Sequence, residues 1–296
     1  MRPVFVVSDL HLGDGGTRDN FHFGDRRASF EAFLDHVEAQ AGRLVILGDL
    51  FEFWQGNLGQ ILVSNRPLLD RLARMGAEYV VGNHDMDLGP LVGHDFLAHP
   101  FFARMRGAFD RRFVIGGRER KVRFMHGHET DPVNNSLYPG LGQVCSILAG
   151  MLEDLNGSPV GTGGEALEPR LEQTAERLLV RAEKWGIRLV NGLARLFPRT
   201  GRTLTPAQNP SRLKAHVEQM GACLREGGYD LIVCGHTHQA GLYPDAAAPW
   251  YVNVGGWVAV SQASPVNTFA RFTDAAFGVF RWTESGPEAW TQVLEP

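Results

Sequence analysis

Five short apolar runs end in the same way, and that recurrence limits the fold more than any other feature. "PVFVVSD" (3–9), "RLVILGD" (43–49), "EYVVGN" (78–83), "VRFMHG" (122–127) and "DLIVCGH" (230–236) each lead from strand-forming residues into a polar tip. Helical patterns lie between the early runs. In "RRASFEAFLDHVEAQA", Phe30, Phe33, Leu34 and Val37 recur at i, i+3, i+4 and i+7. "ILVSNRPLLDRLARMG" repeats the pattern with Leu68, Leu69, Leu72 and Met75, as one helix. Strand alternating with helix predicts an α/β fold whose sheet is covered on both faces. Ligands in such sheets gather at the carboxyl ends of strands, where these polar tips fall.

The C-terminal part has another rhythm. "PWYVNVGGWVAV", "NTFARFT" and "GVFRWT" read as strands joined by turns, which predicts antiparallel pairing in a mixed or second sheet. The stretch 133–210 interrupts the strand pattern. It combines turn-rich pieces ("YPGLGQ", "NGSPVGTGG") with a helical series through Leu171, Ala175, Leu178, Ala182, Trp185, Leu189, Gly192 and Leu196. From Lys184 to Val217 there are seven basic side chains and no acid, in a chain of net charge -4. A solvated helix face accounts for this, and so does a lid that attracts an anionic substrate or lipid headgroups. The chain is read as a single domain, 1–296, with 133–210 as a helical insertion within it.

Composition narrows the function classes. A pI near 6.3 argues against a general nucleic-acid binder. Cys145, Cys223 and Cys234 are scattered, with no CxxC pair, and fit core positions in a reducing compartment. No charged leader with a long apolar stretch is visible, and no run approaches a membrane span. The expectation is a cytoplasmic protein, with peripheral membrane contact through 133–210 as an open option.

The strand tips collect ligands. They carry Asp9 and His11, Asp49 and Glu52, Asn83 with His84 and Asp85, His126 and His128, and His236 and His238. Asp9 with His11, and His236 with His238, are i, i+2 pairs, which on extended chain project to one side. One such pair is weak evidence, but five tips in one register point jointly to a metal site. Imidazole and carboxylate without thiolate suit Mn, Fe, Zn, Co or Ni. Seven good ligands exceed the four that one ion takes from protein, which predicts two divalent ions sharing a carboxylate, as in two-metal phosphoryl hydrolases.

Asp9-x-His11, Gly48-Asp49, Gly82-Asn83-His84-Asp85, His126 and Gly235-His236-x-His238 resemble the calcineurin-like metallophosphoesterase superfamily, in order, over about 4 to 255. The resemblance implies two packed mixed β-sheets flanked by helices, with a dinuclear site at one edge. It implies one ion on Asp9, His11, Asp49 and His238, and a second on Asp49, Asn83, His126 and His236. It further implies Mn2+ foremost and a hydroxide between the ions as nucleophile. His84 would act on the transition state or leaving oxygen, oriented by Asp85.

"ILGDLFEFWQG", "NVGGWVAV" and the helical insertion are similar to bacterial UDP-2,3-diacylglucosamine diphosphatases of lipid A synthesis. That subgroup implies a lid over acyl chains and a lipid-linked pyrophosphate substrate. An arginine follows the motif Asn in its best-known members, whereas His84 stands here, as in the wider superfamily.

Three readings follow. One is a hydrolase of a lipid-linked nucleotide. Another is a phosphodiesterase or phosphomonoesterase on soluble nucleotides or other organophosphates. The third is a metal-binding scaffold without catalysis. Glu52 is read as a support for the site or as a surface charge. Trp54 is read as a core aromatic or a substrate contact, His128 as a substrate contact or a support for the ligands, and Asn253 as part of the site floor.

Overall fold

The structure is a computed structural model. It describes residues 1–22, 25–94, 98–131, 210–259 and 266–295. The expected insertion, 133–210, therefore lies almost wholly outside the described residues.

The early runs form β1 (Val4–Val7), β2 (Arg43–Leu47) and β3 (Glu78–Val80), which pair in parallel and continue to β4 (Met105–Arg106). The β5 (Ala108–Ile115) and β6 (Arg118–Met125) hairpin opens a second sheet. There β6 runs parallel to β7 (Leu231–Cys234), and β7 to β9 (Tyr251–Asn253). The strand β8 (Gly241–Tyr243) closes that sheet, antiparallel to β9. The chain then returns to the first sheet as β10 (Thr268–Phe272), β11 (Phe277–Thr283) and β12 (Gly286–Trp290), all antiparallel. The sheet orders are β12-β11-β10-β1-β2-β3-β4 and β5-β6-β7-β9-β8. Both sheets are mixed, as expected. The C-terminal strands do not form one antiparallel unit: β9 joins the second sheet in parallel, and Trp257 and Val258 of "NVGGWVAV" lie in a buried loop.

Side-chain alternation explains the layering. Val4 and Val6 point to one face of β1, and Phe5 and Val7 to the other, because successive strand residues face opposite sides. Val4, Val6, Val45, Leu47 and Phe272 meet Val122, Phe124, Val233 and Val252 of the second sheet in a shared apolar core. Phe5, Val7, Leu44 and Ile46 on the outer face pack under α1 (Arg26–Ala39), which buries Phe30, Phe33, Leu34 and Val37. The outer face of the second sheet packs Ile232, Cys234 and Tyr251 against Leu213, Val217 and Met220 of the last helix (Pro210–Gly227). Helix, sheet, sheet and helix stack in four layers.

The stretch expected as one helix is two, α2 (Leu58–Ser64) and α3 (Arg66–Met75). The break falls at Asn65, just before Pro67 in the first turn of α3, where a missing amide hydrogen costs nothing. The last helix, Pro210–Gly227, is α4. Gly76, left-handed at φ 68°, ends α3 and turns the chain into β3.

Candidate metal centre

Every candidate ligand follows the carboxyl end of a parallel strand: Asp9 and His11 after β1, Asp49 after β2, Asn83 after β3, His126 after β6, and His236 and His238 after β7. The ends of both sheets thus meet at one edge of the sandwich. The chain must turn sharply there, and it does so in an unusual conformation. Asp9, His11, Asp49, His236 and His238 all have positive φ, between 47° and 68°. Non-glycine residues rarely adopt that region, and such strain persists where the surrounding fold enforces it. Gly48, at φ 83°, allows a close approach: a Cβ there would lie 2.3 Å from Nδ1 of His126.

Each aspartate commits one oxygen to backbone and leaves the other for the site. Asp9 Oδ2 accepts from the His236 amide at 3.0 Å, while Oδ1 is buried with no hydrogen-bond partner. Asp49 Oδ1 accepts from the His84 amide at 2.8 Å, while Oδ2 lies 3.1 Å from His126 Nε2 and 3.9 Å from His11 Nε2. His126 and His11 are each oriented through the other nitrogen. His126 Nδ1 donates to the Leu47 carbonyl at 2.6 Å, leaving Nε2 toward Asp49 and Asn83 Oδ1. His11 Nδ1 donates to Glu52 Oε2 at 2.8 Å, leaving Nε2 buried and without a partner. Hydrogen-bonding one ring nitrogen to fix the tautomer and free the other is how metal-binding histidines are usually held.

Two groups result. In the first, Asp9, His11 and His238 converge, with His238 Nε2 3.1 Å from Asp9 Oδ1. In the second, Asp49, His126 and His236 converge, and Asn83 Oδ1 lies 3.0 Å from both His126 Nε2 and His236 Nδ1. Asp49 faces both. The orphaned Asp9 Oδ1 and His11 Nε2, with an all-nitrogen-and-oxygen donor set, fit divalent cations.

Electrostatics agrees. Burial works to raise the Asp49 carboxyl, but His126, His84 and His11 hold it well below the usual carboxylate range. Asp9 is lowered likewise, burial being outweighed by His238, His11 and His126. Glu52 is held at about 2 by His84 and His11 despite its burial. In return, burial of His126 is overcome mainly by Asp49, which raises it to about 10. Three buried carboxylates that stay ionised call for compensating positive charge, and protons on the imidazoles occupy the place of a cation.

The remaining candidates sit around these groups. The His84 side chain turns away from Asn83. Its Nδ1 lies 2.7 Å from Glu52 Oε2, off the hydrogen-bond direction, and its ring stacks on Trp54 with centroids 3.9 Å apart. Asp85 does not orient His84 as expected. It is fully buried and accepts from the amides of Gly82, Leu50 and Phe51 at 2.6, 2.7 and 3.3 Å, so it ties two site loops together. Burial and the adjacent Asp49 charge push Asp85 up to about 6. The partner of His84 is Glu52, which also holds His11. Glu52 is buried, which removes its reading as a surface charge.

Trp54 is buried against His84, so its indole supports that ring. His128 stands beside the second group, 5.4 Å from the His126 ring and 6.4 Å from the His236 ring, and burial lowers it to about 4. Asn253 donates to the Gly235 carbonyl at 2.6 Å and accepts from the Gly255 amide at 2.9 Å, which pins the turn before His236. Asp131 and His216 carry no recognisable motif. Their placement depends on a loop and a helix that are distant in sequence.

Curated proteins match over part of the chain. The UDP-2,3-diacylglucosamine hydrolase of Ralstonia nicotianae is 38% identical over 101 residues, 32% of this chain and 34% of that protein. The UDP-2,3-diacylglucosamine hydrolase of Coxiella burnetii is 32% identical over 132 residues, 43% of this chain and 47% of that protein. The chain thus spans between a third and a half of the length of these relatives. Among solved structures, zinc-complexed Vps29 from Entamoeba histolytica covers 97% of both chains at 13% identity, with a TM-score of 0.42. A dimetal phosphatase from Danio rerio covers 96% of this chain and 95% of its own at 13% identity, with a TM-score of 0.43. The calcineurin-like phosphoesterase model matches residues 2–181, well over half of the chain, and the chain belongs to that family.

Proposed function

We propose that the chain is a dinuclear-metal-dependent hydrolase of phosphoester or pyrophosphate bonds. Its favoured substrate is a lipid-linked nucleotide of the UDP-diacylglucosamine kind. The observation that carries the chemistry is Asp49 Oδ2, one carboxylate oxygen facing both ligand groups. Asp9, His11, Asp49 and His238 would hold one ion, and Asp49, Asn83, His126 and His236 the other, with Mn2+ the first choice. When bound, such ions polarise phosphoryl oxygen and make water more acidic.

The residues supply the rest. Glu52 keeps His11 in the tautomer with a bare Nε2. With His84 Nδ1 against Glu52, the opposite nitrogen is the one free to protonate a leaving oxygen, and Trp54 restrains the ring. His128, kept neutral by burial, is a candidate contact for substrate beside the second group.

The substrate assignment is supported by the printed names of the partial relatives and by the basic stretch within 133–210. Contact with a membrane face through that stretch is part of the proposal. No described helix is long and apolar enough to cross a membrane. His84 in place of arginine favours a second reading, hydrolysis of soluble nucleotides or aryl esters. Mn-loaded protein is tested on UDP-2,3-diacylglucosamine and on an aryl phosphodiester. UMP release from the first is expected. Turnover of the aryl ester alone overturns the lipid substrate, and inertness on both after metal loading overturns the hydrolase reading.

A further inference from the structure

The turn after β6 does two things at once. His126 at its start belongs to the second ligand group, and Asp131 at its end places Oδ2 2.7 Å from Nε2 of His236, another member of that group. Asp131 is nearly fully buried, so this contact lies out of bulk water. A carboxylate only accepts hydrogen bonds, so His236 must present N–H at Nε2. Nδ1 is then the nitrogen turned to the site, 3.0 Å from Asn83 Oδ1, an acceptor that it can meet only through a proton or a cation. His236 is thus oriented in the opposite sense to His126 and His11, which keep Nδ1 for the protein and turn Nε2 to the site.

The turn itself is braced. Gly127, left-handed at φ 114°, starts it, and its amide donates to Glu129 Oε2 at 3.0 Å. The Asp131 amide donates to the His128 carbonyl at 2.9 Å. Thr130 Oγ1 pairs with His216 Nδ1 of α4 at 2.7 Å, and His216 Nε2 pairs with the Tyr251 hydroxyl of β9 at 3.0 Å. Helix α4 and strand β9 therefore fix the turn that fixes His236.

We propose that Asp131 is a positioning residue for the second metal ion: it locks His236 with Nε2 protonated and Nδ1 turned to the ion. The inference rests on the two-ion reading above. The test has two arms. In metal-free protein with 15N-labelled histidine, His236 is assigned by its loss in His236→Gln. A hydrogen-bonded, slowly exchanging ring proton coupled to Nε2 is expected in the parent and absent in Asp131→Ala. Calorimetric titration with Mn2+ alone should then show the second equivalent about 10- to 100-fold weaker in Asp131→Ala, the first unchanged, and Asp131→Asn, which keeps an acceptor, restored most of the way. The absence of a ring proton on Nε2 of His236 in the parent overturns the proposal, and that measurement needs no Asp131 variant to fold. An undiminished second equivalent in Asp131→Ala overturns it as well. A parent that takes only one ion instead overturns the dinuclear reading, and the NMR arm still decides the role of Asp131.

Discussion

The two ligand groups are alike in their carboxylates and different in how their imidazoles are held. In the first, His11 is held by Glu52, and the same carboxylate oxygen approaches His84. In the second, His126 is held by the Leu47 carbonyl, and His236 by Asp131 from a turn on the second sheet. A backbone carbonyl cannot be lost by mutation and does not ionise. A shared glutamate is the more exposed to change, because one substitution reaches a metal ligand and the candidate acid together. The first group is therefore wired to the chemistry, and the second is held by a backbone carbonyl and by a carboxylate of a braced turn.

Removing what the groups share should have the largest effect. Asp49→Ala takes a ligand from both, and we expect both Mn2+ equivalents to be lost with at least about 10³-fold of kcat/KM, as happens when residues that act as a unit are broken. Elemental analysis after gel filtration, beside the kinetics, checks this. Retention of one tight equivalent would mean that Asp49 is not shared.

His84→Ala comes next and separates catalysis from binding. Two equivalents should remain, with activity down about 10²- to 10⁴-fold on esters with poor leaving groups, in keeping with the loss of a general acid. The loss should shrink for a nitrophenolate, which needs no proton. A loss that does not depend on the leaving group would assign His84 to the transition-state charge instead.

Glu52→Gln sharpens the contrast between the groups. It should weaken the first equivalent about 10- to 100-fold and leave the second nearly intact. It should also lower kcat at saturating Mn2+, because His84 loses the same partner. If kcat is fully recovered by excess metal, Glu52 serves His11 alone.

A smaller effect concerns protons. His126 is held at about 10, chiefly by Asp49 against the opposing effect of burial, so at neutral pH its imidazole carries a proton that a cation must displace. Loading the second group should release that proton. Affinity should then rise with pH toward about 10, by roughly tenfold per unit for each proton released. Calorimetry in buffers of different ionisation enthalpy measures the number directly. No proton release at pH 7 would place His126 neutral before the ion arrives.

Much of this could be read before the structure. The five strand tips named Asp9, His11, Asp49, Asn83, His126, His236 and His238, because a strand end is a local pattern and the ligands follow it within a few residues. The alternation of strand and helix was legible for the same reason, while the packing of two sheets was implied by the family resemblance. The supports were not. Asp131 reaches His236 across 105 positions and His216 reaches Thr130 across 86, separations that no local period encodes. The resemblance implied Asp85 as the partner of His84, yet side chains of neighbouring residues on a turn diverge, and Glu52 takes that place. The split of α2 from α3 was encoded in Pro67 and Asn65 but masked by apolar periodicity running through both.

The smallest expected effect on chemistry comes from the core between the sheets, and it is the control for all of the above. Phe124 is fully buried and packs against Phe109 and Phe272, with ring centroids 5.0 and 5.9 Å apart. Phe124→Ala should cost about 3–5 kcal/mol of stability, the usual range for emptying an aromatic core site. Yet Phe124 is two residues before His126 and points to the other side of the ladder from Met125, into the shared core and away from α4. Denaturant melts of the metal-free variant should therefore shift strongly, while both Mn2+ equivalents stay within a few-fold of the parent at temperatures where the variant is folded. If the second equivalent weakens as much as in Asp131→Ala, the ligand geometry is set by the packing of the two sheets and not by the side chains that hold the imidazoles.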